Sequence, residues 1–184
     1  MAPPPLMAPP PRVLITVAAA ELLRRLQNRH GPLMFHQSGG CCDGSSPMCY
    51  PDGEFVVGDR DVLLGVIEGV PLWISGPQFD AWKHTQLVID VVPGRGSGFS
   101  VEAPEGVRFL SRGRAFTAAE LGQLAQQPPL RGAEYASGLR PPLPAEPVVV
   151  ATAADAVAQG GGEVCASPAD VPESVPASSP RGSS

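Results

Sequence analysis

The sequence predicts a single compact, mainly β domain of the α+β class, with an N-terminal helix, a short C-terminal helix and disordered tails. Three features predict this class. Short apolar runs are separated by turns that contain Gly or Pro, an amphipathic helical pattern precedes these runs, and a helix-capping motif follows them. A chain of 184 residues has the length of one domain with tails.

The two ends of the chain have the composition of disordered tails. Residues 1–12 and 128–184 are rich in Pro, Ala, Gly and Ser, and such segments bury too little apolar surface to offset the entropy lost on ordering. The globular domain is therefore assigned to residues 13–127, which is enough chain for one modest core. Truncation after residue 127 is expected to leave folding unchanged.

The first predicted element is a helix capped by the hydroxyl of Thr16. Its apolar residues follow helical spacing at Ala19, Leu22, Leu23 and Leu26. The apolar residues that precede Thr16, from residue 13, are assigned to the same helix. Gly31 supplies a left-handed stop, and Pro32 prevents the helix from continuing.

Most of the remaining domain is predicted to be strand. The predicted strands are residues 33–37, 54–57, 61–67, 70–75, 86–92, 99–102 and 107–110. The strand at 86–92 is apolar on both faces, which is typical of the centre of a sheet. A short helix is expected at 77–82, and a capping box of Thr117 and Glu120 opens the terminal helix. The predicted core comprises Leu22, Leu23, Leu26, Phe35, Ile67, Trp73, Phe79, Leu87, Ile89 and Phe99.

Charge and hydropathy exclude several classes of partner. The net charge of -5 argues against a nucleic-acid or anionic-membrane surface, because both need clustered Lys and Arg. No apolar run has membrane-spanning length. The run VLITVAAA resembles the core of a signal peptide, but Glu21 and Arg24 continue its helical pattern, so it is assigned to the mature protein. The expected location is the cytoplasm.

Residues 30–51 concentrate the side chains that bind metals. They contain three of the four cysteines and two of the three histidines. Thiolate and imidazole are the usual ligands of zinc and iron, and the glycines of this loop permit turns that bring side chains together. The candidate metal ligands are Cys41, Cys42, Cys49 and His36, with His84 folding back from before the central strand. The expected metal is zinc or iron.

Other interpretations of these residues stay open. The spacing is not Cys-x-x-Cys, and adjacent cysteines rarely both bind one ion. Cys41 and Cys42 cannot easily form a disulfide with each other, and a reducing cytosol favours free thiols. His36 is equally compatible with a core histidine that hydrogen-bonds to backbone. Either adjacent cysteine is also compatible with a small buried residue.

Two stretches carry a resemblance to a known family. The segments FHQSGGCCDGSSPMCYP and FDAWKHTQLVIDVVPGRGSGFSVEAPEGVRFLSR resemble bacterial proteins of the DUF779 family, over about residues 16–116. That family has no established activity. The resemblance implies a context only, since such proteins are often encoded beside NAD-dependent aldehyde dehydrogenases.

A more distant likeness suggests a fold. The order of Thr16-x-x-Ala-Ala, Gly39-Gly40-Cys41, Ile89-Asp90-Val91, Gly98-Phe99 and Ala103-Pro104 is similar to that of A-type iron–sulfur carriers of the HesB-like family. This resemblance implies a compact β-sandwich. Leu110 to Gly113 stand where the carriers have their last two cysteines, so a metal site would have to be rebuilt from Cys42, Cys49, His36 or His84.

The sequence thus predicts a small accessory protein, rather than an enzyme, that binds zinc or iron through the cysteine loop. The DUF779 resemblance implies a setting of aldehyde or alcohol oxidation, with an aldehyde dehydrogenase as partner. Charge and hydropathy predict neither a nucleic-acid nor a membrane partner. One alternative is a redox or electrophile sensor, in which His36 lowers the pKa of Cys41 or Cys42. Another is a non-catalytic binding module with structural cysteines. No catalytic residue is assigned.

Overall fold

The structure, a computed structural model, describes residues 9–37, 46–96, 98–142 and 148–160, with side chains as far as residue 156 in the last range. Within these ranges the chain forms strands Val13–Thr16 (β1), Leu33–Gln37 (β2), Met48–Pro51 (β3), Val62–Ile67 (β4), Val70–Ile74 (β5), Thr85–Pro93 (β6), Val107–Ala115 (β7) and Val149–Val150 (β8). Its α-helices are Val17–His30 (α1), Gly76–Trp82 (α2), Ala118–Ala125 (α3), Gly132–Ala136 (α4) and Ala153–Gly160 (α5). None of these helices has the length and apolar character that a membrane crossing requires.

The strands form two four-stranded sheets that share one core. The first sheet has the order β7-β6-β1-β8, with β1 parallel to both neighbours and β6 antiparallel to β7. The second has the order β3-β2-β5-β4, with β2 parallel to β5 and the other pairs antiparallel. Between the sheets, the ring of Phe35 meets that of Phe109 edge-on at 4.9 Å. The prediction of a compact domain that mixes helices and strands is confirmed.

The first helix begins and ends where the sequence predicts. The Thr16 hydroxyl accepts a hydrogen bond from the backbone N–H of Ala19, and Gly31 ends the helix with φ of 81°. The residues before Thr16 differ from the prediction, because they form the buried strand β1 instead of the start of the helix. They are apolar and partly β-branched, and a position between two parallel neighbours buries both faces of such a strand.

Two predicted strands are wrong. Residues 54–57 and 99–102 form turns and loop. Phe99, a predicted core residue, is 83 % exposed. Ser100 instead binds the backbone of β3, since its Oγ accepts the N–H of Cys49 at 2.8 Å. Phe55 packs on the outer face of the second sheet, where its ring stacks on Tyr50 with a centroid distance of 5.1 Å. Tertiary contacts therefore outweigh the strand propensity of both segments.

The chain after residue 127 contributes to both sheets, whereas the sequence predicts a disordered tail there. Strand β8 pairs with β1 in the first sheet, and Ala156 of α5 packs on its outer face. The ring of Tyr135 in α4 meets Trp73 edge-on at 5.2 Å on the outer face of the second sheet. These pieces are short and separated by prolines, so none has a recognisable period of its own. Their conformation depends instead on contacts with β1 and with Trp73.

Candidate functional site

Cys49 lies in the apolar core. It stands on β3 opposite Phe35 of β2, and both side chains belong to the cluster between the sheets. The Cys49 residue is fully buried. Burial, with a smaller effect of the Glu102 carboxylate, raises the pKa of the Cys49 thiol. Since thiolate is both the metal ligand and the nucleophile, this environment suits a structural cysteine.

His36 faces away from Cys49. It follows Phe35 on β2, and neighbouring residues of a strand point to opposite faces of the sheet. Its ring stacks on Phe55 with centroids 4.3 Å apart, and its Nε2 lies 3.4 Å from Oδ2 of Asp61. Burial lowers the pKa of His36, and the carboxylate of Asp61 opposes this only in part. The expected convergence of His36 with Cys49 is therefore absent.

His84 is separated from both His36 and Cys49. His84 is exposed and precedes β6 of the first sheet, where its backbone carbonyl accepts the N–H of Phe116 at 2.9 Å. Cys41 and Cys42 lie outside the described residues. Among the side chains that the structure describes, no group of three His, Cys, Asp or Glu is arranged to hold a metal ion. The described members of the predicted set do not fit a zinc or iron site, and metal binding through Cys41 and Cys42 stays a prediction.

Cys41 and Cys42 lie in the segment of residues 38–45. The described residues on either side of this segment, Gln37 and Ser46, both contact β7. On the incoming side, Oε1 of Gln37 accepts the Ser111 hydroxyl at 2.6 Å. On the outgoing side, the Ser46 hydroxyl accepts a hydrogen bond from Arg108 at 3.1 Å. Ser111 and Arg108 lie three residues apart on β7. Gln37 and Ser46, the described residues on either side of this segment, are therefore both tied to the same strand.

A buried carboxylate lies near the outgoing side of the loop. Glu102 is 1 % exposed, and one of its oxygens accepts the hydroxyl of Ser100, the residue that binds the backbone of Cys49. Burial raises the pKa of Glu102, against the opposing effect of its hydrogen bonds. These contacts fasten residues 100–102 to β3. Ser100 accepts the N–H of Cys49 and donates to Glu102, so these polar groups satisfy one another inside the domain. We therefore assign Glu102 a structural role.

A groove on the side of the domain is the site that the sequence does not predict. It encloses about 490 Å³ and is lined by residues 9–13, 63–66, 124, 127–130, 135, 140–142 and 148. Strand β4, which lies at the edge of the second sheet, forms one wall. Seven of the lining residues are prolines, so we call it the proline groove. Because proline fixes φ, these walls are stiff without regular secondary structure.

Close packing sets the floor of the proline groove. A Cβ on Gly65 of β4 would lie 2.8 Å from Cγ1 of Val13 in β1, so a larger residue at this position would force the Val13 side chain or the strands to shift. Beside it, the backbone N–H of Leu63 donates to the carbonyl of Leu130 at 2.9 Å. The groove is thus formed where the two sheets and the chain after α3 meet.

The proline groove combines an apolar lining with positive charge. Its lining consists mainly of Pro, Leu and Val, with Gln127 and Tyr135 as neutral polar residues. The charged residues that line it are Arg12 and Arg140, and no Asp or Glu among the described residues does so. A protein with net charge -5 therefore presents a cationic apolar site here.

The DUF779 family profile, described as a domain of unknown function, matches residues 22–115, just over half of the 184-residue chain. This chain belongs to the DUF779 family. No curated protein and no solved structure matches it. In this DUF779 protein the matched range contains β2 to β7, which are the bulk of both sheets. Of the proline groove, only the β4 wall lies within it.

Proposed function

We propose that this DUF779 protein is a non-catalytic accessory protein that binds a small, mainly apolar ligand in the proline groove. The observation that carries the proposal is the groove itself, with its volume of about 490 Å³ and its mainly apolar lining. Small-molecule sites typically have volumes of roughly 300–1,000 Å³, a mainly apolar lining and a few polar groups that fix orientation. The proline groove has each of these properties.

The wider setting that we propose is aldehyde or alcohol oxidation in a bacterial cytoplasm, with an aldehyde dehydrogenase as the partner protein. Its support is the context that the family resemblance implies. The proposal assigns no catalytic residue. It fits the position of Cys49 in the core, where a buried thiol serves packing rather than chemistry.

The binding proposal is tested by titrating the full chain with Nile red, a neutral apolar fluorophore whose emission changes in apolar surroundings. Saturable binding of one molecule per chain is expected. Val66 of β4 is half-buried and lines the groove, so Val66→Trp fills it without adding charge. This variant is expected to weaken binding by about tenfold or more.

A matched control distinguishes the groove from the rest of the surface. Val56 is 86 % exposed and does not line the groove, so Val56→Trp adds the same side chain elsewhere. It is expected to leave Nile red affinity unchanged. Equal affinities of wild type and both variants, at equal denaturation midpoints, would contradict the proposal.

Thiol chemistry at Cys41 and Cys42 is the second candidate function. The observation that favours it is that Gln37 and Ser46, which flank the loop, are both tied to β7. This candidate covers two functions, zinc or iron binding and electrophile sensing. Both require reactive thiolates outside the core. Titration of accessible thiols in native protein tests this candidate, with Cys49 expected to be protected. The resemblance to the fold of the A-type iron–sulfur carriers also remains a prediction.

A further inference from the structure

Arg12 places a positive charge in a partly buried position of the proline groove. It precedes β1 and is half-buried. One of its guanidinium nitrogens donates to the carbonyl of Leu124 at 3.2 Å and to that of Gln127 at 3.4 Å. Its guanidinium also lies 5.6 Å from the ring centroid of Phe79. These contacts fix the side chain against the wall of the groove.

The charge of Arg12 lacks a carboxylate partner among the described residues. Its hydrogen bonds go to backbone carbonyls at the end of α3, which supply only partial negative charge. Burial accordingly lowers the pKa of the Arg12 guanidinium. Two arginines of the first sheet, Arg112 and Arg114, do have carboxylate partners. Arg112 pairs with Asp90 at 3.0 Å, and Arg114 pairs with Glu120 at 2.7 Å.

Arg140 adds a second unpaired cation to the same lining. Its Nη1 donates to the carbonyls of Tyr135 and Leu139, each at 2.8 Å, and its guanidinium lies 3.8 Å from the Tyr135 ring centroid. Within the described part of the chain it has no acidic partner. Two arginines that are held by neutral groups, beside an apolar space, are complementary to an anion that carries an apolar chain.

We propose that the ligand of the proline groove is a small amphiphilic carboxylate, whose anionic group binds Arg12 or Arg140 and whose apolar part lies along β4. This inference rests on the proposed binding function and adds the chemical class of the ligand. A carboxylate matches a guanidinium through two parallel hydrogen bonds, which a hydroxyl of the same chain cannot form. Charge therefore decides which of two equally apolar ligands binds more tightly.

The test compares three probes of equal chain length, octanoate, octanol and octylammonium, by isothermal titration calorimetry of the full chain. Wild type is expected to bind octanoate about tenfold more tightly than octanol, and octylammonium more weakly still. Arg12→Gln and Arg140→Gln are each measured with the same probes. At least one is expected to lose the preference for octanoate while it still binds octanol.

The control is Arg95→Gln, because Arg95 is exposed and does not line the groove. It is expected to keep the preference at the same salt concentration. Arg12 also holds the end of α3, so its variant is compared at matched fraction folded, and Arg140→Gln provides the second measurement. Equal affinity for octanoate and octanol in wild type would overturn the inference and leave the binding proposal standing.

A further variant tests whether the chain supplies its own anion. Glu146 lies outside the described residues, between Pro142 and Val148 of the groove lining. If octanoate binds to Glu146→Gln but not to wild type, the anion is internal and the inference of a small-molecule carboxylate is overturned. If no probe binds to any form of the protein, both the inference and the proposed function fail.

Discussion

Substituting Gly132 by alanine should strongly destabilise this protein, although the sequence places residue 132 in a tail. A Cβ on Gly132 would lie 2.1 Å from the carbonyl oxygen of Gly58, where real Cβ contacts are longer than 3.0 Å. Both groups belong to the backbone, so neither can turn aside as a flexible side chain does. The first turn of α4 must therefore move by about 1 Å away from the loop before β4.

The expected cost follows from the contacts that this movement breaks. Gly132 donates its N–H to the carbonyl of Asp61 at 2.8 Å, and Ala133 donates to that of Asp59 at 3.3 Å. Losing both removes about 2 kcal/mol, and loosening Tyr135 from Trp73 removes about 1 kcal/mol more. A loss of about 3 kcal/mol in the free energy of unfolding corresponds to a fall of roughly 10 °C in the melting temperature.

Chemical denaturation and a thermal scan measure this effect, with Gly122→Ala as the control. Gly122 lies inside α3, and a Cβ there would meet nothing within 4 Å. Because alanine favours a helix over glycine by about 1 kcal/mol, the control should be slightly more stable than wild type. If Gly132→Ala is as stable as wild type, α4 is not docked on the loop. The assignment of this segment to a tail would then be correct.

Three further outcomes are expected. Truncation after Gln127 should lower the melting temperature by more than 10 °C, because it removes α4, β8 and α5. Truncation after Gly160 should leave the melting temperature unchanged. Equal melting temperatures of the two truncated proteins would contradict this prediction. Glu102→Gln should stabilise the protein increasingly above pH 4.5. The reason is that burial raises the pKa of Glu102, so the stability of the wild type falls as this carboxyl group ionises. A stability difference that does not depend on pH would count against this prediction. Replacing Cys41 and Cys42 together by serine should lower the zinc or iron content of tag-free protein, as elemental analysis can measure; unchanged content would exclude the loop as the metal site.

Local signals in the sequence predict the start and end of α1 and the start of α3. Thr16 and Gly31 bound α1 through interactions within the helix itself, and the capping box of Thr117 and Glu120 opens α3 in the same way. Strand β6 lies at the centre of its sheet, as its two apolar faces indicate. In each case the chemistry that determines the element lies within a few residues.

Segments whose conformation depends on distant partners are not predictable in this way. Phe99 has the apolar character of a core residue, but Ser100 fastens the segment to β3 through a contact 51 residues away in sequence. The pieces after residue 127 are stabilised by β1 and by Trp73, neither of which their own pattern indicates. Composition predicts a tail there because it does not register docking onto an existing surface.

The candidate sites also depend on contacts between residues that are distant in sequence. Alternation along β2 and β3 separates His36 from Cys49, and this follows from strand pairing that the loop composition does not reveal. The proline groove draws on residues from both ends of the chain and from β4. Its prolines indicate a lack of regular structure, and the sequence gives no sign that they face one space.

Chemical-shift mapping of the isotope-labelled full chain with octanoate tests directly whether the proline groove binds a ligand. The amides of Val13, Leu64 and Gly65, which line the groove, should shift as octanoate is added and saturate together. The amide of Phe109, buried between the sheets, should not respond. Saturable shifts confined to groove residues are the predicted result. Shifts that map to another surface, or that never saturate, would contradict it.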